Sequence, residues 1–393
     1  MVGTADRTHP AGPEPFTAAC VGLRSAVDAR SGSAADTLRQ RILRAITVAP
    51  GGGPASVKDV PEPSPSQGAV LVRTIALGVC ATDREIVAGH YGTAPAGEDW
   101  LILGHESLGR VQSAPPESRL EPGDLVVGIV RRPDPAPCPA CAAGQWDMCR
   151  NGRYSERGIK GLHGYGSERF RVETDFVVKI DPSLGRLGVL LEPASILAKA
   201  WEEIALLERR APLPARRTLL VTGAGPIGLL AAMMGAERGF DVHVFDRPTS
   251  GVKPALVRDL GAAWHDGAVR DAVERLAPDV VIECTAAPAL VRDLLGHTAA
   301  TGIICLTGVS APGLVLDADM GWLNRSLVLN NQVVFGTVNA NRRHYEQAAA
   351  ALVRADRKWL ERLITRRVPL DRWQDALAAR PDDVKVVVEF GDA

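Results

Sequence analysis

Thr218-Leu219-Leu220-Val221-Thr222-Gly223-Ala224-Gly225-Pro226-Ile227-Gly228 is the stretch that decides the fold. Its apolar half predicts a strand, and a helical pattern from Leu229 to Arg238 follows the last glycine. Glycines at the spacing Gly-x-Gly-x-x-Gly allow a tight turn and a close approach of the backbone to a pyrophosphate, which then lies on the helix N-terminus. Asp246 also ends the next predicted strand, so the context fits the dinucleotide-binding fingerprint. We therefore predict a dinucleotide site, rather than a glycine-rich turn that only permits tight packing.

The residues after the second strand bear on which dinucleotide is bound. Asp246 can accept hydrogen bonds from both ribose hydroxyls and would repel a 2′-phosphate, which favours NAD. Arg247 directly after it could instead pair with that phosphate, so NADP stays open. The predicted cofactor-binding residues are Gly223, Gly225, Pro226, Ile227, Gly228, Asp246, Arg247, Gly308 and Asn339.

Apolar runs alternate with helical segments around this stretch. The runs cover 218–222, 241–245, 279–282, 302–306 and 332–335. Continuous apolar strands between helices indicate a parallel sheet covered on both faces, so the fold class is α/β. A long helix is predicted over 191–210, further helices over 345–353 and 373–379, and a last strand over 384–390.

The preceding part of the chain has a different texture. Strands predicted over 45–48 and 69–75, a turn that leads into a strand over 120–127, and the proline-rich linker 61–65 indicate a small β-barrel. Residues 1–32 are rich in Gly, Pro, Ala and Ser, and we predict a disordered tail over 1–42, in which 36–42 gives only a weak signal for a short amphipathic helix. One hypothesis is that this tail is an upstream extension of the reading frame. The predicted domains are the tail 1–42, a β-rich domain 43–208 completed by 338–393, and a dinucleotide-binding domain 209–337.

Composition sets limits on function. A chain of 393 residues exceeds what one hydrophobic core usually organises, which agrees with two domains. With 46% hydrophobic residues, 23% charged residues and a net charge of -1, nothing argues for nucleic acid or an anionic membrane as a partner. There is no secretory signal, and the 7 cysteines are an odd number with three close together, so we predict a cytoplasmic protein whose thiols serve metal ligation.

A second candidate site surrounds Leu103-Gly104-His105-Glu106, with Cys80 and Thr82 upstream. Cys, His and Glu are ligands that zinc accepts, and a catalytic zinc keeps one position open for water or substrate. A lone His-Glu pair is more often a buried histidine in an ordinary turn, so this pair alone does not establish a zinc site.

Cys138, Cys141 and Cys149 form a third cluster within a short loop. A structural zinc needs four ligands, and Asp134 is the nearest candidate for the fourth. The alternative is a lobe that has lost its metal and keeps three reduced thiols. A zinc-finger module that binds nucleic acid is disfavoured, because the charge is nearly neutral and a fourth cysteine is missing.

Taken together, these motifs resemble the zinc-dependent medium-chain alcohol and polyol dehydrogenases, and within them the archaeal-type glucose 1-dehydrogenases. The resemblance covers about Leu43 to Phe390. It is carried by Gly78-Val79-Cys80-Ala81-Thr82-Asp83-Arg84-Glu85-Ile86-Val87, Leu103-Gly104-His105-Glu106, Asp147-Met148-Cys149-Arg150-Asn151-Gly152, Glu156-Arg157-Gly158-Ile159, Leu191-Glu192-Pro193 and Gly336-Thr337-Val338-Asn339. It implies a GroES-like β-barrel catalytic domain beside a Rossmann domain with a doubly wound parallel sheet.

The resemblance also implies roles for single residues. The catalytic zinc ligands would be Cys80, His105 and Glu192, with Glu106 as an alternative ligand or a carboxylate beside the metal. Thr82 would pass the substrate's proton towards solvent. The residues that would contact the substrate are Thr82, Glu156, Glu192 and Asn339, with Glu156 and Asn339 bonding sugar hydroxyls.

Two departures from the family pattern matter. Three cysteines stand where the family has four, which puts the second zinc in question. Asn330 and Asn331 lie where a histidine is often found in the family, so we expect a different sugar preference in this chain.

The implied reaction is oxidation of an aldose at C1 to the aldonolactone, with hydride transfer to NAD or NADP. The alternatives are a polyol, threonine, amino-sugar or secondary-alcohol dehydrogenase on the same scaffold, and a non-catalytic dinucleotide-binding protein. A homodimer or homotetramer is expected, with apolar residues over 321–334 as candidates for the interface, although the same pattern also fits an interior strand.

Overall fold

The computed structural model describes residues 41–49, 51, 53, 55–212, 214–247 and 250–391. The predicted disordered tail lies outside the described residues as far as residue 40, and so does the hypothesis about where the folded protein begins. Ile42, which we assigned to the tail, instead begins the first strand.

Strands and helices are numbered here in chain order over the described residues. The strands are β1 (Ile42–Val48), β2 (Ser56–Pro61), β3 (Val70–Val79), β4 (Leu101–Ile102), β5 (Glu106–Ser113), β6 (Leu125–Gly128), β7 (Arg131–Arg132), β8 (Ser155–Arg157), β9 (Gly161–Leu162), β10 (Arg169–Val172), β11 (Val177–Lys179), β12 (Thr218–Thr222), β13 (Asp241–Phe245), β14 (Ala263–His265), β15 (Val280–Glu283), β16 (Ile303–Leu306), β17 (Val333–Gly336), β18 (Ile364–Pro369) and β19 (Lys385–Glu389). The helices are α1 (Ala81–Val87), α2 (Pro139–Ala142), α3 (Leu191–Glu208), α4 (Pro226–Glu237), α5 (Val252–Asp259), α6 (Val269–Leu276), α7 (Pro288–Leu294), α8 (Met320–Leu329), α9 (Arg342–Arg354), α10 (Arg357–Leu363) and α11 (Gln374–Leu377).

The β-rich part is built on β3. A 7-stranded sheet runs in the order β11-β6-β5-β3-β19-β18, and β10 also pairs with β3. The strands β18 and β19 come from the far end of the chain, and β19 pairs antiparallel with β3. The last strands therefore complete a sheet whose other members lie between residues 70 and 179. The three predicted domain boundaries stay a prediction.

The second large sheet has 6 strands in the order β14-β13-β12-β15-β16-β17, all parallel. This confirms the α/β fold class. β12 and β13 have the predicted bounds, and β15, β16 and β17 each begin one residue later than predicted. The short strand β14 was not predicted. The chain reverses direction across the sheet between β12 and β15, and ligands of such sheets bind beyond the carboxyl ends of the strands at that point.

The helix α3 joins the two sheets. It ends at Glu208 rather than at the predicted residue 210, and it buries Leu191, Leu197 and Ile204. It packs against α4 and α9 within one large apolar core. Each such side chain contributes about 1.5–3 kcal/mol of burial free energy, so the first turn of α3 is held firmly in place. No helix of the described residues is long and apolar enough to cross a bilayer.

Candidate active site

Cys80 lies at the junction of β3 and α1. The strand ends at Val79 and the helix begins at Ala81, so Cys80 is the N-cap residue. Asp83 lies in the first turn, and its Oδ2 accepts a hydrogen bond from the Cys80 backbone N–H at 2.9 Å. This bond fixes the turn that carries the thiol. Thr82 lies half-buried in the same first turn.

His105 is buried between β4 and β5 and faces this turn. Its Nε2 lies 3.1 Å from the Cys80 Sγ. Its Nδ1 lies 3.4 Å from Oδ1 of Asp83. Burial by itself lowers the pKa of His105, but the neighbouring Cys80 and Asp83 outweigh it, so the pKa is raised well above 6.5. The structure therefore brings together a thiol, an imidazole and a supporting carboxylate.

Glu106 and Glu192 approach His105 from other elements. One ligand atom from each of these residues lies within 4.8 Å of the others. Cys80, Asp83 and His105 form a second group by the same measure, so His105 is common to both. Glu192 stands in the first turn of α3, and burial raises its pKa to about 7. The other predicted ligands thus surround His105, with Cys80 between β3 and α1, Glu106 on β5 and Glu192 on α3.

Lys385 is a site residue that the sequence reasoning missed. It is fully buried at the start of β19, and its Nζ lies 2.5 Å from Oε2 of Glu106 and 3.3 Å from the carbonyl oxygen of Val79. Burial lowers the pKa of Lys385, but Glu106 and Cys80 outweigh it, so the pKa is raised. The only available signal was a lysine in an otherwise apolar strand, Lys385-Val386-Val387-Val388.

The charges of this cluster fit a divalent cation. Asp83, Glu106 and Glu192 are buried carboxyl groups beside the Cys80 thiol, and Lys385 is the lysine among them. Buried charges need partners, and a bound cation would replace the protons that the raised pKa values favour on His105 and Glu192. Sulfur, nitrogen and oxygen donors are those that zinc accepts, and a carboxylate behind a liganding histidine is a usual support. The residues present therefore fit zinc.

Glu156 and Asn339 meet, although they are far apart in sequence. The Nδ2 of Asn339 donates to Oε1 of Glu156 at 2.7 Å, and Arg131 donates to the same oxygen at 3.0 and 3.1 Å. All these recorded bonds end on Oε1, so Oε2 is the oxygen left for a ligand among the described residues. The two side chains are only 5% and 9% exposed.

The glycine loop has the geometry that a pyrophosphate site requires. Gly223 has a φ of +90°, and a Cβ on Gly228 would lie 1.8 Å from the carbonyl oxygen of Gly223. Only glycine fits at Gly228, because α4 packs directly on the loop before it. The helix α4 begins at Pro226, with Ile227 next, and Gly225 is its N-cap.

Asp246 stands beside this loop at the end of β13. Its Oδ2 accepts from the backbone N–H of Ala224 at 2.9 Å, and its Oδ1 accepts from that of Arg247 at 2.7 Å. The side chain of Arg247 is exposed. Gly308 lies half-buried just beyond β16, at the same edge of the sheet.

The third cluster also assembles. The sulfur atoms of Cys138, Cys141 and Cys149 lie within 4.8 Å of one another. Asp134 does not join them: its carboxylate instead accepts from the N–H of Ala136, from Asn151 and from Arg153. The structure therefore offers three thiol ligands, and the predicted fourth ligand is engaged elsewhere.

Comparison with known proteins defines the class first. The family described as alcohol dehydrogenase GroES-like domain matches residues 66–182, and the family described as glucose dehydrogenase C-terminus matches residues 185–390. A GroES-like domain joined to a parallel dinucleotide-binding sheet is the architecture of a medium-chain dehydrogenase.

Within that class, the chain belongs to the glucose dehydrogenase family. It is 41% identical to the glucose 1-dehydrogenase of Thermoproteus tenax over 88% of this chain and 99% of the relative. It is 40% identical to the glucose 1-dehydrogenase of Methanocella arvoryzae over 85% of this chain and 96% of the relative. The solved structure of Haloferax mediterranei glucose dehydrogenase in complex with NADP, Zn and gluconolactone matches with a TM-score of 0.83 and 33% identity, over 89% of this chain and 100% of that one.

Proposed function

We propose that this protein is a zinc-dependent dehydrogenase that oxidises an aldose such as glucose at C1 to the lactone and passes hydride to NAD or NADP. The observation that carries the proposal is the position of Cys80, Asp83 and Glu192 around His105, in a chain whose fold also supplies the dinucleotide loop. The relatives named as glucose 1-dehydrogenases support glucose as the substrate class.

Zinc would be held by Cys80, His105 and Glu192, and when bound it supplies a Lewis acid that lowers the pKa of an alcohol, while the nicotinamide supplies the hydride acceptor. Asp83 keeps the imidazole of His105 oriented. Glu106 faces Lys385 and so serves beside the metal rather than as a ligand. The Thr82 hydroxyl takes the proton of the substrate C1 hydroxyl and passes it outward.

Sugar orientation falls to Glu156 and Asn339. Oε2 of Glu156 accepts from one hydroxyl of the sugar, while its Oε1 stays bonded to Arg131 and Asn339. Because a buried carboxylate left without its hydroxyl partner is costly, this pair discriminates against analogues that lack the hydroxyl.

For the cofactor we propose NAD. Asp246 is already held by the N–H groups of Ala224 and Arg247, so its carboxylate stands fixed and negative where the ribose hydroxyls arrive. The Haloferax mediterranei enzyme is in complex with NADP. Replacing Asp246 with Ser should therefore raise the preference for NADP at least tenfold, measured as the ratio of kcat/KM values for the two cofactors.

Two further proposals concern the whole protein. The strand β17 ends the parallel sheet, and the adjacent α8 exposes Met320, Trp322 and Leu329, which supports a homodimer formed by joining these edges. The six cysteines of the described residues are free thiols, which supports a cytoplasmic location.

The test is reduction of NAD and NADP against glucose, galactose, xylose, sorbitol and threonine, with bound zinc counted in the same preparation. We expect glucose-like aldoses to lead and the product to be a lactone. Cys80→Ser should abolish turnover while cofactor binding survives, whereas Cys305→Ser, in the buried sheet, should keep turnover. Full activity without metal, or no activity with any aldose, would overturn the proposal.

A further inference from the structure

A buried ion pair lies behind the sugar site. Nζ of Lys199, on α3, is 3.0 Å from Oδ2 of Asp147, in the loop between Cys141 and Cys149. The two side chains are 3% and 1% exposed. Neither group is a proposed zinc ligand, and the proposed reaction assigns no role to this pair.

The pair holds the segment 337–341 from both sides of Asn339. Nζ of Lys199 donates to the carbonyl oxygen of Val338 at 3.1 Å. Oδ1 of Asp147 accepts from Nδ2 of Asn341 at 2.8 Å. One bond therefore reaches the residue before Asn339, and the other reaches a residue two places after it.

Asn339 needs such support. It has a φ of +62°, in the left-handed region that residues other than glycine occupy only when their surroundings hold them there. Its own Oδ1 accepts from the N–H of Ala340 at 2.8 Å, and its Nδ2 reaches Glu156. A small rotation of this residue would move the amide away from Glu156.

Glu156, the second side chain proposed to bind the sugar, is linked to Asp147 through Arg131. The NH1 of Arg131 donates to the backbone carbonyl oxygen of Asp147 at 3.1 Å, while the Nε and NH2 of Arg131 bind Glu156. The carboxylate of Asp147 thus binds Asn341, two residues after Asn339, and its carbonyl oxygen binds Arg131, which in turn binds Glu156.

We propose that Asp147 and Lys199 are positioning residues for the sugar site, which fix the segment 337–341 and hold Asn339 against Glu156. This inference rests on the proposed role of Glu156 and Asn339 in binding the aldose. It also places sugar affinity under the influence of the loop that carries the three thiols.

The test separates positioning from stability. Lys199→Met leaves the buried Asp147 charge unpaired, so it should lose both thermal stability and sugar affinity. Asp147→Asn/Lys199→Met removes both charges and should regain much of the stability. Val338 still lacks its donor in the double variant, so KM for the aldose should stay raised about tenfold, the effect of about one lost hydrogen bond.

KM for the cofactor should stay within twofold of the wild-type value in both variants. Glu202→Gln is the matched control, because Glu202 lies on the same helix α3 as Lys199 but pairs with Arg343 of α9 on the exposed side. That variant should keep the wild-type KM for the aldose. If the aldose KM of the double variant returns to the wild-type value together with the melting temperature, the pair is merely structural and the proposal is overturned.

Two measurements distinguish this failure from a failure of the proposed function. Glu156→Gln should raise the aldose KM directly. An unchanged aldose KM in this variant would refute the sugar role of Glu156, but not the positioning role of Asp147 and Lys199. Hydrogen exchange needs no substrate: the amide of Ala340 should exchange faster in the double variant than in Glu202→Gln. Equal exchange rates would overturn the positioning role even if no aldose were oxidised.

Discussion

Lys385→Met removes the ammonium group from a deeply buried ion pair beside the proposed zinc ligands. The side chains of Lys385 and Glu106 are 0% and 3% exposed, and the two charged atoms lie 2.5 Å apart. Methionine is of similar length, so the substitution leaves little empty space. It does leave the carboxylate of Glu106 and the carbonyl of Val79 without this donor.

Removing one partner of a buried ion pair costs about 3–5 kcal/mol, because the remaining charge stays out of water without compensation. A domain of 150–250 residues loses about 2–4 °C of melting temperature per kcal/mol. We therefore expect the melting temperature of metal-free Lys385→Met to fall by roughly 6–20 °C. The double variant Glu106→Gln/Lys385→Met removes both charges and should regain most of this loss.

The assay is thermal and urea unfolding of metal-free and zinc-loaded protein, followed by circular dichroism. Lys58→Met, at an exposed lysine on β2, is the control and should change the free energy of unfolding by less than about 0.5 kcal/mol. A metal-free Lys385→Met within 1 kcal/mol of the wild type would refute the reasoning. So would a double variant no more stable than the single one.

Three further predictions follow from other parts of the structure. Gly228→Ala should lose both stability and cofactor affinity, because its Cβ would lie 1.8 Å from the Gly223 carbonyl oxygen. Gly225→Ala places its Cβ in open space and should lose cofactor affinity alone, which melting curves with and without NAD will show. Burial raises the pKa of Glu173, but the neighbouring Arg132 and Arg157 outweigh burial and lower this pKa from 4.5 to about 2. The wild type should therefore be more stable than Glu173→Gln above about pH 5, and acid titrations of unfolding should show this advantage disappearing towards pH 2. The backbone N–H groups of Arg150 and Cys141 lower the pKa of Cys138 to about 6, whereas burial raises the pKa of Cys284 to about 12. In metal-free protein at pH 7 the ultraviolet absorbance of thiolate should therefore fall in Cys138→Ser and stay unchanged in Cys284→Ser.

Much of the dinucleotide-binding half could be predicted from local pattern. Glycine spacing, apolar runs and the acid at Asp246 are all short-range signals, and each reports on a strand, a turn or a helix end. The boundaries of β12 and β13 accordingly agree with the prediction. The strand β14 was missed because Ala263-Trp264-His265 is only 3 residues long and half-buried, which is too short for a periodic signal.

The catalytic half depends on contacts that spacing does not reveal. Cys80 and His105 looked like ligands because of their chemistry, but Glu192 came only from the resemblance to a family. Lys385 was missed because its partner Glu106 lies 279 positions away in the chain. The same limitation hid the pair formed by Asp147 and Lys199, since nothing in a loop aspartate and a helix lysine indicates that both are buried together.

That separation along the chain has a consequence for synthesis. At about 5–20 residues per second, a ribosome needs roughly 14–56 s to add the 279 positions between Glu106 and Lys385. During that interval Glu106 has no ammonium partner, and β3 lacks its neighbouring strand β19. We expect the proposed zinc pocket to remain incomplete until β19 has been synthesised, so this enzyme gains its activity only after Lys385 has joined the chain.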